Sequence, residues 1–141
     1  MQRFRTNNPY EEKFGYSRAV RKGPFIFVSG TTSIDPESGE LRYPGSAYDQ
    51  ANAIFDEIVR SVTALGGSKS EIVRVRMFVA RDEDTSKVGD ALRDALGGVG
   101  PAATMIVGAR FVSSEMLVEI EADAVVLDQA DHEAGEARAT C

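Results

Sequence analysis

The sequence predicts an α+β domain, a mixed β-sheet with two helices packed on one face. Two segments repeat apolar residues at helical spacing, and others alternate them as strands do. The two kinds are interleaved along the chain in the order ββ-α-β-α-ββ, which a single sheet layered with helices can satisfy. At 141 residues, 43% of them apolar, the chain supports one core without metal or disulfide staples.

Gly23-Pro24 divides residues 16–30 into two short strands, because proline cannot donate to a ladder, and a hairpin is expected. Asp35-Pro36-Glu37-Ser38-Gly39 is loop chemistry. After Ser46, an N-cap residue, Ala51, Ile54, Phe55, Ile58, Val59, Val62 and Leu65 form the stripe of an amphipathic helix, stopped by Gly66-Gly67. Val73, Val75, Met77 and Val79 then alternate with Arg74, Arg76 and Phe78, predicting a strand with an apolar face and a partly basic one.

Asp82 to Asp84 place acids before a second helix near 84–96, which buries Val88, Ala91, Leu92, Ala95 and Leu96 and closes at Gly97-Gly98. The segments Thr104–Phe111 and Met116–Leu127 read as a second hairpin, the latter alternating Val118, Ile120, Ala122 and Ala124 with Glu119, Glu121 and Asp123. Beyond this the residues are charged or small, without apolar period. A domain of residues 1–128 and a disordered tail of 129–141 are expected. Two helices cover only one sheet face, so the other needs a second copy of the chain to bury its apolar residues.

Composition narrows the function. The net charge of −6 and pI near 4.8 argue against nucleic acid as partner, because phosphate binding needs concentrated positive charge. A small-molecule ligand is expected instead. No apolar run approaches the roughly 20 residues of a membrane span, and Met1-Gln2-Arg3-Phe4-Arg5 lacks a signal-like apolar stretch, so a cytoplasmic protein is expected. Cys141 is the only cysteine, which excludes an internal disulfide. The acidic runs lack convergent histidines, and neither a metal nor another cofactor is expected. The one histidine, His132, falls in the predicted tail, leaving a serine triad without a base. Gly97-Gly98-Val99-Gly100 lacks the lysine of a phosphate loop.

Several motifs then fall in a recognisable order. Tyr16-Ser17-Arg18-Ala19-Val20, Phe27-Val28-Ser29-Gly30, Asp35 to Glu40, Ala64-Leu65-Gly66-Gly67, Pro101-Ala102 and Val118-Glu119-Ile120-Glu121-Ala122 together resemble the RidA/YjgF family, also called endoribonuclease L-PSP. The resemblance spans roughly residues 10–127. It implies a chorismate-mutase-like α+β fold assembled as a homotrimer, with ligand clefts between subunits. It also implies hydrolysis of reactive enamines or imines, such as 2-aminoacrylate, to a 2-keto acid and ammonia, or a related tautomerisation. Tyr16 and Glu119 match the family's cleft tyrosine and acid, and are the implied catalytic residues. The family's alternative name suggests ribonuclease activity, which the acidic composition disfavours.

Two departures stand out. Where the family reads Pro-Ala-Arg and its arginine grips the substrate carboxylate, this chain reads Pro101-Ala102-Ala103-Thr104, so Ala103 and Thr104 occupy the substrate-binding positions without a guanidinium. The family's asparagine in the second helix is also missing from Lys87-Val88-Gly89-Asp90. Losing a charge-assisted clamp costs about 1.5–3 kcal/mol of binding. Arg76 has two readings: it neutralises the acidic row of the last strand, or it replaces the clamp and binds a carboxylate or carbonyl ligand. A non-catalytic binding or protein-interaction trimer is the alternative to the enzyme.

Overall fold

The computed structural model describes residues 1–127, so the tail predicted for 129–141 lies outside the described residues. The elements are β1 (Gln2–Phe4), α1 (Pro9–Phe14), β2 (Ala19–Lys22), β3 (Phe25–Thr31), α2 (Ala47–Ala64), β4 (Ile72–Val79), α3 (Thr85–Leu96), β5 (Ala102–Val107) and β6 (Val118–Val125). One six-stranded sheet runs β1-β2-β3-β6-β4-β5. All pairs are antiparallel except β4 with β5, whose parallel pairing is made possible by the α3 crossover.

The α2 stripe predicts its own packing. Ser46 Oγ accepts from the Asp49 N–H (3.2 Å), and Ala51, Ile54, Phe55, Ile58 and Val62 lie against β3 and β6 with at most 1% exposure. Helix α3 packs beside α2 through Val88, Ala91 and Leu96. The strands meet this layer with Ile26, Val28, Val75, Met77, Val79 and, from β6, Val118, Ile120, Ala122 and Ala124. At Gly67 a Cβ would press on Val62 and Ile26, so glycine permits the close return after α2.

The structure changes three expectations. The β2–β3 hairpin forms, with Val20 opposite Phe27, but β5 and β6 are not a hairpin, because β4 lies between them and pairs with both. Val73 is not a core residue: an irregularity between Ile72 and Arg74 turns it out to 45% exposure and puts Ile72 inside. Strand β1 and helix α1 were not expected. Only Phe4 in β1 is apolar enough to signal a strand. Helix α1 is six residues long, with Asn8 Oδ1 accepting from the Tyr10 N–H (3.0 Å) and Gly15 leaving it at φ 76°.

The sheet face away from α2 and α3 carries Phe25, Phe27, Arg74, Arg76, Phe78, Thr104, Ile106 and the row Glu119, Glu121, Asp123. Phe25, Phe27 and Ile106 are each about half exposed. Strand β5 is an open edge as well, with Ala102, Ala103, Thr104, Ile106 and Val107 all exposed. Among the described residues, no helix is long and apolar enough to cross a membrane.

Candidate functional site

The β3–β6 pairing shifts register between Val28 and Thr31, so the ladder is irregular around Ser29 and Gly30. Such bulges redirect side chains. The local chain is held from β2's side, where Ser29 N donates to Arg18 O (2.9 Å), Ser29 Oγ to Ser17 O (2.7 Å) and Arg18 Nη2 to Gly30 O (3.0 Å). Strand β6 then lays the Glu119 side chain directly over Gly30. A Cβ at position 30 would overlap Glu119 Oε1, so only glycine admits the carboxyl there.

Around this contact lies a cavity of about 130 Å³. Asn8, Tyr10, Phe14 and Tyr16 from the α1 region, Arg18, Gly30 and Thr32, and Val112, Met116 and Glu119 line it. That is smaller than the roughly 300–1,000 Å³ of pockets for drug-sized ligands, and suits a molecule of a few heavy atoms. Its polar groups converge. The Arg18 Cζ sits 5.6 Å from the centre of the Tyr16 ring, and Arg18 is buried to 2% exposure. Burial pushes the Glu119 carboxyl above the ordinary carboxylate range; nearby Arg18 pulls it down and Glu121 adds to the rise.

The outer wall is pinned by a side chain from the core. Gln50, fully buried in α2, donates through Nε2 to Glu115 O (2.9 Å) and Tyr43 O (3.2 Å), and its Oε1 accepts from the Leu117 N–H (2.9 Å). Two loops are thereby tied to one helix. The Tyr43 backbone held in this way is in the left-handed region, at φ 58°.

Two more open hollows, of about 630 and 900 Å³, are larger but chemically weaker. In the first, which faces α2, the charges satisfy one another, as in the Arg60–Glu57 pair at 2.7 Å. Its Asp35 carboxyl is held below the ordinary range by the Glu37 and Ser38 N–H groups, as a turn-capping group is. Geometry and chemistry both favour the smaller cavity.

Of the residues singled out in the sequence, Tyr16 and Glu119 meet in that cavity. Arg76 does not line it in the protomer. Its Nη1 lies 3.3 Å from Glu121 Oε1 and 3.2 Å from Asp123 Oδ2, across the β4–β6 ladder. Ala103 and Thr104 stand exposed on β5, opposite Val75 and Arg76. Sequence reasoning missed Arg18 and Gly30 as site residues. The available signal was a cation between Ser17 and Ala19 at a strand entry, and a glycine near the end of a β-type run.

An antiparallel-rich sheet covered on one face by α2 and α3, with an acid, an arginine and a tyrosine gathered on the other, defines a protein of the RidA/YjgF fold. The family model described as Endoribonuclease L-PSP matches residues 6–126, and the chain belongs to that family. An uncharacterized protein of Streptomyces coelicolor is 31% identical over 125 residues, covering 88% of this chain and 91% of the relative. A 2-iminobutanoate/2-iminopropanoate deaminase of Dermatophagoides farinae is 27% identical over 111 residues, covering 79% and 85%. Among solved structures, Rv2704 of Mycobacterium tuberculosis, a member of the YjgF/YER057c/UK114 family, superimposes with a TM-score of 0.77 at 29% identity, over 89% of this chain and 98% of that one.

Proposed function

We propose that the protein hydrolyses small imines or enamines to carbonyl compounds and ammonia, as a cytoplasmic homotrimer, with Glu119 as the catalytic acid/base. The observation that carries this reading is the Glu119 carboxyl: half-buried over Gly30, facing Tyr16 and Arg18 in a small cavity, and raised in pKa. A carboxyl shifted upward exchanges protons nearer neutral pH than an ordinary one. Glu119 takes a proton from water as the water oxygen bonds the imine carbon and gives it to nitrogen as the C=N π bond opens; it then moves the new hydroxyl's proton to the same nitrogen, so that the C–N bond breaks as the carbonyl forms. Imine plus water becomes carbonyl plus ammonia. Tyr16 bounds the cavity and offers its hydroxyl for orientation. The similarity to a 2-iminobutanoate/2-iminopropanoate deaminase supports the same class of substrate.

The trimer rests on the uncovered face and edge: Phe25, Phe27 and Ile106 on the sheet, and strand β5 at its margin. Sedimentation at the 15.2 kDa of one chain would remove it. The activity is tested by following ammonia release from enzymatically generated 2-aminoacrylate and 2-iminobutanoate. A rate above background that disappears in Glu119→Gln is expected.

One observation favours a second reading, a ligand-binding trimer without turnover. Positions 89 and 103 carry Gly and Ala in place of the family's asparagine and arginine. Binding of a 2-keto acid with no ammonia release from either imine would select it.

A further inference from the structure

We propose that Arg18 is the anion-binding group of this cavity, holding the ligand's carboxylate in a chain that has alanine at position 103. The proposal rests on the reading of the cavity as a ligand site, and deepens it by naming the residue that selects charge.

Arg18 is among the largest fully buried side chains of the protein, yet it takes part in none of the ion pairs among the described residues. The arginines of those ion pairs all have side chains at least a third exposed, whereas the buried Arg18 guanidinium joins none of them. Its hydrogen bonding is also incomplete. Nη2 donates to Gly30 O, and the buried Nε has no partner. A guanidinium carries five N–H donors in a planar fork that matches a carboxylate, so most of its capacity is unused.

A buried charge is strongly disfavoured without a partner, and the described residues supply none within ion-pair reach. Glu119 shares the cavity but stands outside that reach, and its upward-shifted carboxyl offers a weaker counter-charge than an ordinary one. The space between them is therefore bounded by a cation on one side and a proton-exchanging acid on the other. A small molecule carrying a carboxylate next to an ionisable nitrogen or a carbonyl satisfies both. Phe14, Val112 and Met116 leave a short apolar wall for its side chain.

Arg18 also braces the irregular stretch of β3 through Gly30 O, so a purely structural role must be separated from binding. The probes are pyruvate and its neutral isostere pyruvamide, titrated into the ¹⁵N-labelled wild-type protein. Both the Arg18 side-chain N–H signals and the Gly30 amide are followed. Pyruvate is expected to move both sets of signals, and pyruvamide to move the Arg18 signals little. In Arg18→Gln the Kd for pyruvate is expected to rise about ten-fold to hundred-fold, with partial recovery in Arg18→Lys.

A Gly30 response to pyruvate with unmoved Arg18 signals, or equal affinity for pyruvate and pyruvamide, overturns the proposal and leaves the cavity as the ligand site. No response at either place, with imine-dependent ammonia release intact, also overturns it while the enzymatic reading stands. No response and no ammonia release overturn both. The wild-type titration decides the matter even if the variants fail to fold.

Discussion

Glu119, Glu121 and Asp123 stand on the same face of the same strand, yet they meet opposite environments. Glu121 and Asp123 share Arg76 from β4 at 3.2–3.3 Å, with all three side chains at least a quarter exposed. Glu119 has Phe78 opposite it in the β4 register instead of an arginine, lies over Gly30, and is raised in pKa by burial. One end of the acidic row is neutralised within the sheet. The other is left unpaired in a cavity. Alternation along β6 makes an acidic face, but the neighbours across the ladder decide which acid is paired surface charge and which is half-buried with a raised pKa.

The most severe way to break this contrast is Glu119→Gln. Ammonia release is expected to fall at least about 100-fold, the lower range for loss of a general acid/base, and steady-state assay against both imines measures it. The corresponding change Glu121→Gln is expected to leave the rate within about two-fold.

Gly30→Ala attacks the same carboxyl indirectly. The new methyl displaces a flexible side-chain end instead of backbone, so about 1 kcal/mol of stability is expected to be lost in denaturant melts. Turnover is expected to fall about ten-fold, because a small displacement of a catalytic group is costly.

The pH dependence of stability sharpens the contrast further. Glu119 holds its proton more tightly folded than unfolded, so between the ordinary carboxylate pKa and its raised folded pKa the native state binds more protons. Stability is therefore lost as pH rises through that window. Urea melts across the acid range should show wild type losing stability relative to Glu119→Gln as pH increases, with the two in closest agreement once differences at the lowest pH are taken as reference. A wild-type loss that Glu119→Gln reproduces in full would contradict the assignment.

The smallest effect is expected at the other end. Arg76→Met removes a half-exposed pair, and a stability change of no more than about 1 kcal/mol is expected, shrinking in high salt. Pyruvate affinity should be unchanged. A ten-fold loss of affinity in Arg76→Met would instead bring that residue into the ligand site of the assembled protein.

Much of the architecture was legible in the residues. The α2 stripe from Ala51 to Leu65 and the β6 alternation from Val118 to Ala124 each encode which side faces the core, and both bury as read. What alternation does not encode is the partner. Nothing in Met105 or Ile106 tells a strand that it will pair parallel with β4 instead of folding back on β6. The candidate site was half legible for a related reason. Tyr16 and Glu119 were reached through the family resemblance, but the burial of Arg18 depends on α1, the irregular turn of β3 and the 112–116 wall closing around it. A cation inside and a cation outside look alike in a sequence.

The grip of Gln50 on both loops gives this cavity a rigidity set from the opposite side of the sheet. The Leu117 amide is hydrogen-bonded to a side chain of α2, so it can trade its proton with solvent only when that side chain lets go. Its hydrogen-exchange rate is thus a built-in gauge of how often this contact opens. A ligand that fills the cavity and rests on that wall should slow this exchange without touching Gln50 itself.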